Sequence, residues 1–424
     1  MHGEAHTRNG HVSSSGVPPD AGEQAAAERA NQRNAVLAAF LGWTLDAFDF
    51  FVLVMVLDAV AKDFGRTRPE IALTLTGSLA MRPLGALLFG LLADRYGRRL
   101  PLILAVVFYS IIEVLSGLAP NYETFFVLRL LFGIGMGGEW GVGASLAMES
   151  VPARWRGVVS GLLQEGYALG YLLAAIVYYA VFPHFGWRPL FFIGGLPALL
   201  SLFVRARVRE SEAWHEHRMS DWAAYRRAVV SHWRRFAYLV LLMAMMNFIS
   251  HGTQDMYPTF LQHQRHFSPE RTAAITVVSM VGAIGGGVLF GLFSDRVGRR
   301  RAMVTATVCG ALVVPLWVFA PSAGLIFAGA FLMQFMVQGA WGVIPAHLTE
   351  LSPGSLRGFF PGFAYQLGVL LAASVTYVEA VLGEHFDYAQ AMGLLAVGFL
   401  LGGAVIIGLG PEAKGISFRR PSPP

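Results

Sequence analysis

A motif near residue 90 returns about 200 residues later, in register, and this recurrence restricts the chain to a doubled architecture. Gly90-x-x-x-Asp94-Arg95-x-Gly97-Arg98-Arg99 reappears as Gly291-x-x-x-Asp295-Arg296-x-Gly298-Arg299-Arg300. Glu149-x-x-Pro152-x-x-x-Arg156-Gly157 reappears as Glu350-x-x-Pro353-x-x-x-Arg357-Gly358. The offset is 201 in both cases, and it also pairs Trp140 with Trp341 and Gly161 with Gly362. Two unrelated motifs at one spacing mark a tandem duplication.

Composition identifies the solvent. Apolar residues make up 55% and charged residues 14% of 424, too few charges for a water-soluble domain of this size. Apolar runs of about 20 residues recur, each long enough to cross a bilayer as a helix. They lie at 36–58, 70–92, 101–119, 125–148, 158–182, 188–205, 236–261, 271–293, 302–320, 323–348, 359–381 and 389–409. The expectation is an all-α membrane protein with twelve transmembrane helices in two six-helix bundles, 34–205 and 236–411. Six spans per copy give both halves the same orientation, related by an axis along the membrane normal.

Of the 32 lysines and arginines, 24 fall in tails and loops on one side, six on the other and two, Arg82 and Arg129, within spans. The positive-inside rule then predicts cytoplasmic termini. The net charge of +5 reflects this loop bias, so nucleic acid is not an expected partner. Cys309 is alone and within a span, which leaves no disulfide framework or thiolate metal site. No phosphate-binding loop supports ATP-driven pumping; neither enzyme activity nor a cofactor is expected. His215-x-His217 and His263-x-x-His266 lie in loops without acidic partners and read as solvated side chains.

Residues 1–33 are polar and small, without an apolar core or a cleavable signal, and are expected to form a disordered cytoplasmic tail; residues 412–424 form the second tail. In the linker 206–235, Trp222, Tyr225, Val229 and Trp233 recur at helical spacing among Arg226, Arg227, Arg234 and Arg235. That pattern predicts an amphipathic helix lying on the inner leaflet. The compact, loop-poor chain points to a bacterial inner membrane and a monomer.

At this point the residues carry a resemblance. The doubled D-R-x-G-R-R loop, Arg129-x-x-x-Gly133-x-Gly135-x-Gly137-Gly138-Glu139, and Pro411-Glu412-Ala413-Lys414-Gly415 resemble the major facilitator superfamily over roughly residues 34–416. Gly42-Trp43-x-x-Asp46-x-x-Asp49-Phe50-Phe51 is similar to the sialate:proton symporter group. Asn247-Phe248-Ile249-Ser250-His251-Gly252-Thr253-Gln254-Asp255-Met256-Tyr257-Pro258-Thr259 is similar to the signature of the fungal lactate/pyruvate permeases in that group. The resemblance implies proton coupling linked to the span-four motif with Arg129 and Glu139, and a transport role for Arg82.

The residues themselves point the same way. Asp46 and Asp49 are three apart, hence on one helix face, about 15–20 Å from the end of the first span. A bare carboxylate at that depth is costly, so each must face the bundle interior and be paired or protonated. They are candidate proton carriers, or else static partners of Arg82 or Arg129. Arg82, near mid-membrane, carries a permanent charge whose planar fork matches a carboxylate. In span seven Asn247, His251 and Asp255 recur at i, i+4 and i+8 beside Gln254, a polar stripe on an apolar helix whose amide and imidazole groups are expected to orient substrate. His251 can change charge near neutral pH. Pro258 removes a backbone bond near the outer end of that span, where the helix can bend. Gln164 with Glu165, and the repeat-related Tyr365 with Gln366, are candidate lining groups. Glu113, and Gln164 with Glu165, either line the route or brace helices.

The charged loop sets are expected to act as a cytoplasmic gate rather than as ligands: Asp94, Arg95, Arg98, Arg99, Glu149 and Arg156, with Asp295, Arg296, Arg299, Arg300, Glu350 and Arg357. Together these features predict a proton-coupled secondary transporter of a small organic anion, favouring monocarboxylates such as lactate or pyruvate. Sialate or a larger organic acid is the alternative cargo. A nutrient sensor that kept the transporter body without turnover is the alternative of another class.

Overall fold

A computed structural model describes residues 21–218, 221–373 and 387–418. Among the described residues every regular element is helical. Helix α1 runs Ala21–Phe64, α2 Arg68–Tyr96, α3 Arg99–Gly117 and α4 Tyr122–Ser150. The fifth span is α5 (Arg156–Gln164) plus α6 (Gly166–Phe185), and the sixth is α7 (Arg188–Ile193) plus α8 (Ala198–Arg207). Short helices α9 (Glu212–His217) and α10 (Trp222–Ser231) cross to the second half. There, α11 (Trp233–Gln254) and α12 (Tyr257–His263) form span seven, followed by α13 (Pro269–Val297) and α14 (Arg299–Phe319). Helices α15 (Ala323–Trp341) and α16 (Ile344–Leu351) form span ten, then come α17 (Phe360–Ala372) and α18 (Tyr388–Leu409). Eleven helical stretches are long and apolar enough to cross a bilayer, with Phe360–Ala372 a shorter twelfth. The remainder of the eleventh expected span, 374–381, lies outside the described residues.

Breaks within spans follow from local chemistry. Gly194-Gly195-Leu196-Pro197 separates α7 from α8, since two glycines and a proline weaken helical continuity. Pro258 enters at the first turn of α12, so span seven bends near its outer end as its position predicts. Starts are capped by side chains: Thr67 and Glu70 form a reciprocal capping box on α2, and Asn121 caps α4.

The first helix begins before the expected bundle boundary at 34. Residues 21–33, expected as disordered tail, continue α1 because Ala25, Ala26, Ala27 and Ala30 with Glu28 and Arg29 are strong helix formers. The linker also departs from expectation. Its helix ends at Ser231, Trp233 opens α11, and Tyr225 is buried with its hydroxyl donating to Asp94 Oδ2 at 3.0 Å. Burial, reinforced by the Asp94 carboxylate, pushes the Tyr225 hydroxyl far up, so it keeps its proton and donates. Helix α10 therefore docks on the bundle through Tyr225, while Trp222 and Val230 stay exposed.

Each half closes its sixth span with an acidic residue that the sequence reading left without a role. Glu210 accepts from the backbone N–H groups of Arg98 (2.8 Å) and Arg99 (3.0 Å), at the start of α3. Glu412 accepts from those of Arg299 (3.2 Å) and Arg300 (3.0 Å), at the start of α14. Burial raises the Glu412 carboxyl, but the N–H groups of Arg300, Lys414 and Ala413 outweigh it and hold the group below its usual range. A lowered folded-state value means this cap contributes at neutral pH and is lost as acidification protonates it. Glu210→Ala and Glu412→Ala should each cost about 1 kcal/mol. Because the two caps sit in different halves, the losses should add. Thermal unfolding of the purified protein checks this; two single variants as stable as the parent would contradict it.

Candidate substrate and proton site

The first-span acids occupy two different environments. Asp46 is buried within reach of the Arg82 charge, and Glu139 of α4 sits against the α-carbon of Gly42 on the same side. Asp49 packs deeper in the N-terminal half, against Gly194 and beside Glu113 of α3. Arg129 does not pair with Asp46. Its guanidinium donates to Glu113 Oε2 at 2.5 Å and Ser116 Oγ at 2.6 Å, with the rings of Phe132 and Phe191 over it. Helix α3 lies directly beside α4, which brings Glu113 nearer to Arg129 than the α1 carboxylates.

Neither oxygen of Asp46, Asp49 or Glu139 has a hydrogen-bond partner among the described residues. Inserting one bare charge at mid-membrane costs about 2.5–3.5 kcal/mol on insertion scales. Three such carboxylates cannot all stay ionised; each carries a proton or takes a partner. Arg82, 5% exposed, donates to the Met136 thioether and lies over the Phe50 ring at 5.7 Å. Among the described residues no carboxylate stands within ion-pair distance of it, and its Nε has no acceptor. Arginine keeps its charge under these conditions.

Span seven presents its stripe unevenly. His251 Nδ1 and Asp255 Oδ2 are 3.1 Å apart, with side chains 42% and 32% exposed. Asn247 and Gln254, expected to orient substrate, are engaged elsewhere. Asn247 Nδ2 donates back to the Met243 carbonyl at 2.8 Å, a local bond that competes with outward contacts. Gln254 Nε2 donates to Gln334 Oε1 at 2.9 Å and so ties α11 to α15. Tyr167 of α6 stacks on Trp43 at 5.5 Å, and Trp43 meets Tyr365 of the second half edge-on at 6.4 Å, so rings of both halves come together here. Tyr365, near Arg82, stacks on Trp140 with centroids 4.5 Å apart. Gln164 Oε1 and Gln366 Oε1 are buried and accept from no donor among the described residues.

On the side carrying the termini, two repeat-related clusters bind the halves together. Asp94 of the first half accepts from the backbone N–H of Gly358 (2.6 Å) and Phe359 (3.2 Å) ahead of α17. Asp295 of the second accepts from Gly157 (2.9 Å) and Val158 (3.2 Å) at the start of α5. Each is a carboxylate on a helix N-terminus of the opposite half, where orphan N–H groups and the helix dipole both favour an anion. Arg98 bridges Asp94 and Glu149 at 2.8 and 3.1 Å, and Arg299 bridges Asp295 and Glu350 at 2.7 and 2.9 Å. Arg357 and Arg156 reach Glu149 and Glu350 from across the seam at 4.0 and 3.6 Å. A side chain at Gly157 would strike the Gly291 backbone, so glycine permits this approach.

The other four expected gate arginines have different partners. Arg99 donates to the Arg205 carbonyl and Arg300 to that of Gly410, each tying the end of its half's last span. C-terminal carbonyls attract cations, which explains the placement. Arg95 stacks on Trp222 at 4.6 Å, and Arg296 receives Lys414 on its carbonyl. Residues absent from the expected set also serve the seam: Ser145 Oγ donates to the Arg357 carbonyl, and Ser160 Oγ accepts from the Ala346 N–H. Buried serines in a glycine-rich helix carry no sequence signal that separates them from packing.

A doubled, multi-span helical body with charges enclosed between its halves is the build of a membrane transporter, not an enzyme. The chain belongs to the major facilitator superfamily, whose model matches residues 39–372 and 241–420. It is similar to a carboxylic acid transporter protein homolog of Saccharomyces cerevisiae, 30% identical over 403 residues. That match covers 85% of this chain but only 65% of the yeast protein's length. It is also similar to a probable 4-methylmuconolactone transporter of Cupriavidus pinatubonensis, 31% identical over 399 residues, covering 91% of this chain and 92% of that one. Among solved structures the proton:xylose symporter XylE superposes with a TM-score of 0.72 at 19% identity, covering 92% of this chain and 98% of that one.

Because Asp94 and Asp295 hold opposite helix starts, Asp94→Ala should loosen the seam. In a Cys309→Ala background, a cysteine placed at buried Ser145 should react with maleimide about tenfold faster once Asp94 is removed. Labelling of the Asp94→Ala, Asp295→Ala and double variants at the parent's rate would contradict that role.

Proposed function

We propose that the protein is a proton-coupled symporter of small organic acids, with monocarboxylates such as lactate or pyruvate as its cargo. The observation that carries this reading is Arg82: a buried, permanent cation with no carboxylate in ion-pair reach among the described residues, beside Asp46 and Glu139. Such a guanidinium gains most from a small anion that supplies a bidentate carboxylate. Names of relatives, a carboxylic acid transporter homolog and a muconolactone transporter, support an organic acid, and the span-seven signature supports a monocarboxylate of the lactate/pyruvate type.

The cycle uses the orphan carboxyls as proton carriers. A proton on Asp46 removes the anion that competes for Arg82, and the substrate carboxylate then takes the guanidinium. Glu113 holds Arg129, so Asp49 and Glu139 have no fixed counter-ion and can exchange protons with Asp46. The seam of Asp94 and Asp295 acts as the gate on the cytoplasmic side, where the basic loops place the termini. Its closure and the exposed His251–Asp255 pair correspond to a state open to the opposite, external side. Breaking the seam while the halves rock would release proton and anion inward.

One proton with one monoanion moves no net charge, so a pH gradient drives the cycle and voltage does not. In proteoliposomes, an inside-alkaline gradient should accumulate labelled lactate without current. Arg82→Lys keeps the charge but loses the fork, and should lower uptake at least about tenfold. Normal lactate uptake by that variant, or sizeable lactate-evoked current in the parent, would contradict the scheme.

A further inference from the structure

Five aromatic rings from both halves floor the chamber beside Arg82. Trp43 stacks on Tyr167 (5.5 Å, 29°) and meets Trp140 edge-on at 6.3 Å; Trp140 stacks on Tyr365 (4.5 Å, 23°), which meets Trp341 edge-on at 6.0 Å. Both tyrosine hydroxyls lie near the Arg82 charge. Of these five rings Tyr167, 38% exposed, is the accessible one; the other four, Trp43 at 4% among them, are buried. Beneath the floor a space bounded by Trp43, Trp140, Ala144 and Pro345 is about 10 Å³, too small for an organic solute.

Packing alone does not account for this floor. Buried indole N–H groups normally find an acceptor, yet Trp43 Nε1 and Trp341 Nε1, both nine-tenths buried or more, have none among the described residues. A three-carbon hydroxy acid would satisfy Arg82 and leave the ring faces and both indole donors without contact. A flat, conjugated acid of ring size would seat its carboxylate on Arg82 and its face on Tyr167, which Trp43 backs from the other side. An acceptor at its far edge would meet an indole N–H.

Taking the carboxylate reading above as its basis, we infer that this site, among the acids it accepts, ranks planar, π-conjugated carboxylates, aromatic or unsaturated, above saturated ones of equal size. Face-to-face contact with a ring rewards π character beyond the area it covers, so a flat acid should beat a saturated one of equal size.

Calorimetry on the purified full chain tests this with benzoate, cyclohexanecarboxylate and lactate, which share the carboxylate and differ in π character and size. Benzoate should bind about tenfold more tightly than cyclohexanecarboxylate, and lactate more weakly than benzoate. Trp43→Leu should collapse the benzoate preference, whereas Trp43→Phe, which keeps a ring, should restore most of it. Equal binding of benzoate and cyclohexanecarboxylate, or tightest binding of lactate, would overturn the inference while leaving an organic-acid transporter standing. Binding of none of the three would overturn the carboxylate reading itself. The parent comparison decides the matter even where a tryptophan variant does not fold.

Discussion

A guanidinium charge that cannot be discharged, enclosed at mid-membrane, constrains everything around it. Arg82 must be compensated, and the low-dielectric surroundings make any nearby anion interact strongly with it. The protein places three carboxyls on the same half without a hydrogen-bond partner for any of them among the described residues. It then occupies the second available arginine, Arg129, with Glu113. One cation is thus held in a fixed pair and the other is left responsive. In the proposed cycle that asymmetry supplies a site where an ionised Asp46 and an organic anion would compete for one cation.

The duplication solves the complementary problem of closing one side. Asp94 and Asp295 each satisfy backbone N–H groups at a helix start in the opposite half. Neither half can complete its own helix ends without the other. Many weak, geometrically exact contacts of this kind can be broken together by a rigid rotation, whereas an apolar interface of equal area would not separate into water-filled space so readily. Glycines at 157 and 291 let the two backbones meet closely enough for these bonds to form.

Much of the fold was legible because the apolar period and the repeat offset are global signals. The offset of 201 alone predicts that Asp94, Arg98, Glu149 and their copies are equivalent, and they are. What it does not encode is rotation between helices. Arg129 could be placed within its span, yet not aimed at Glu113 in preference to Asp46, since that depends on how α3 packs beside α4. Asn247 and Gln254 share a face with His251 on paper, but one bonds its own helix and the other bonds Gln334. Glu210 and Glu412 escaped notice because a single acid after a span looks the same whether it is solvated or caps a helix. Arg99 and Arg300 sat inside a gate motif although they serve the ends of α8 and α18. Trp43 stood within a quoted motif without a role, because an aromatic residue in a span reads as packing until its unpartnered N–H is seen.

The central claim is that an organic anion and a proton cross together. Following the external pH of weakly buffered proteoliposomes on adding lactate tests it most directly, with protein-free vesicles as the baseline. The account predicts an alkalinisation matched to lactate uptake and abolished by Arg82→Lys. Lactate uptake with no accompanying loss of external protons would contradict it.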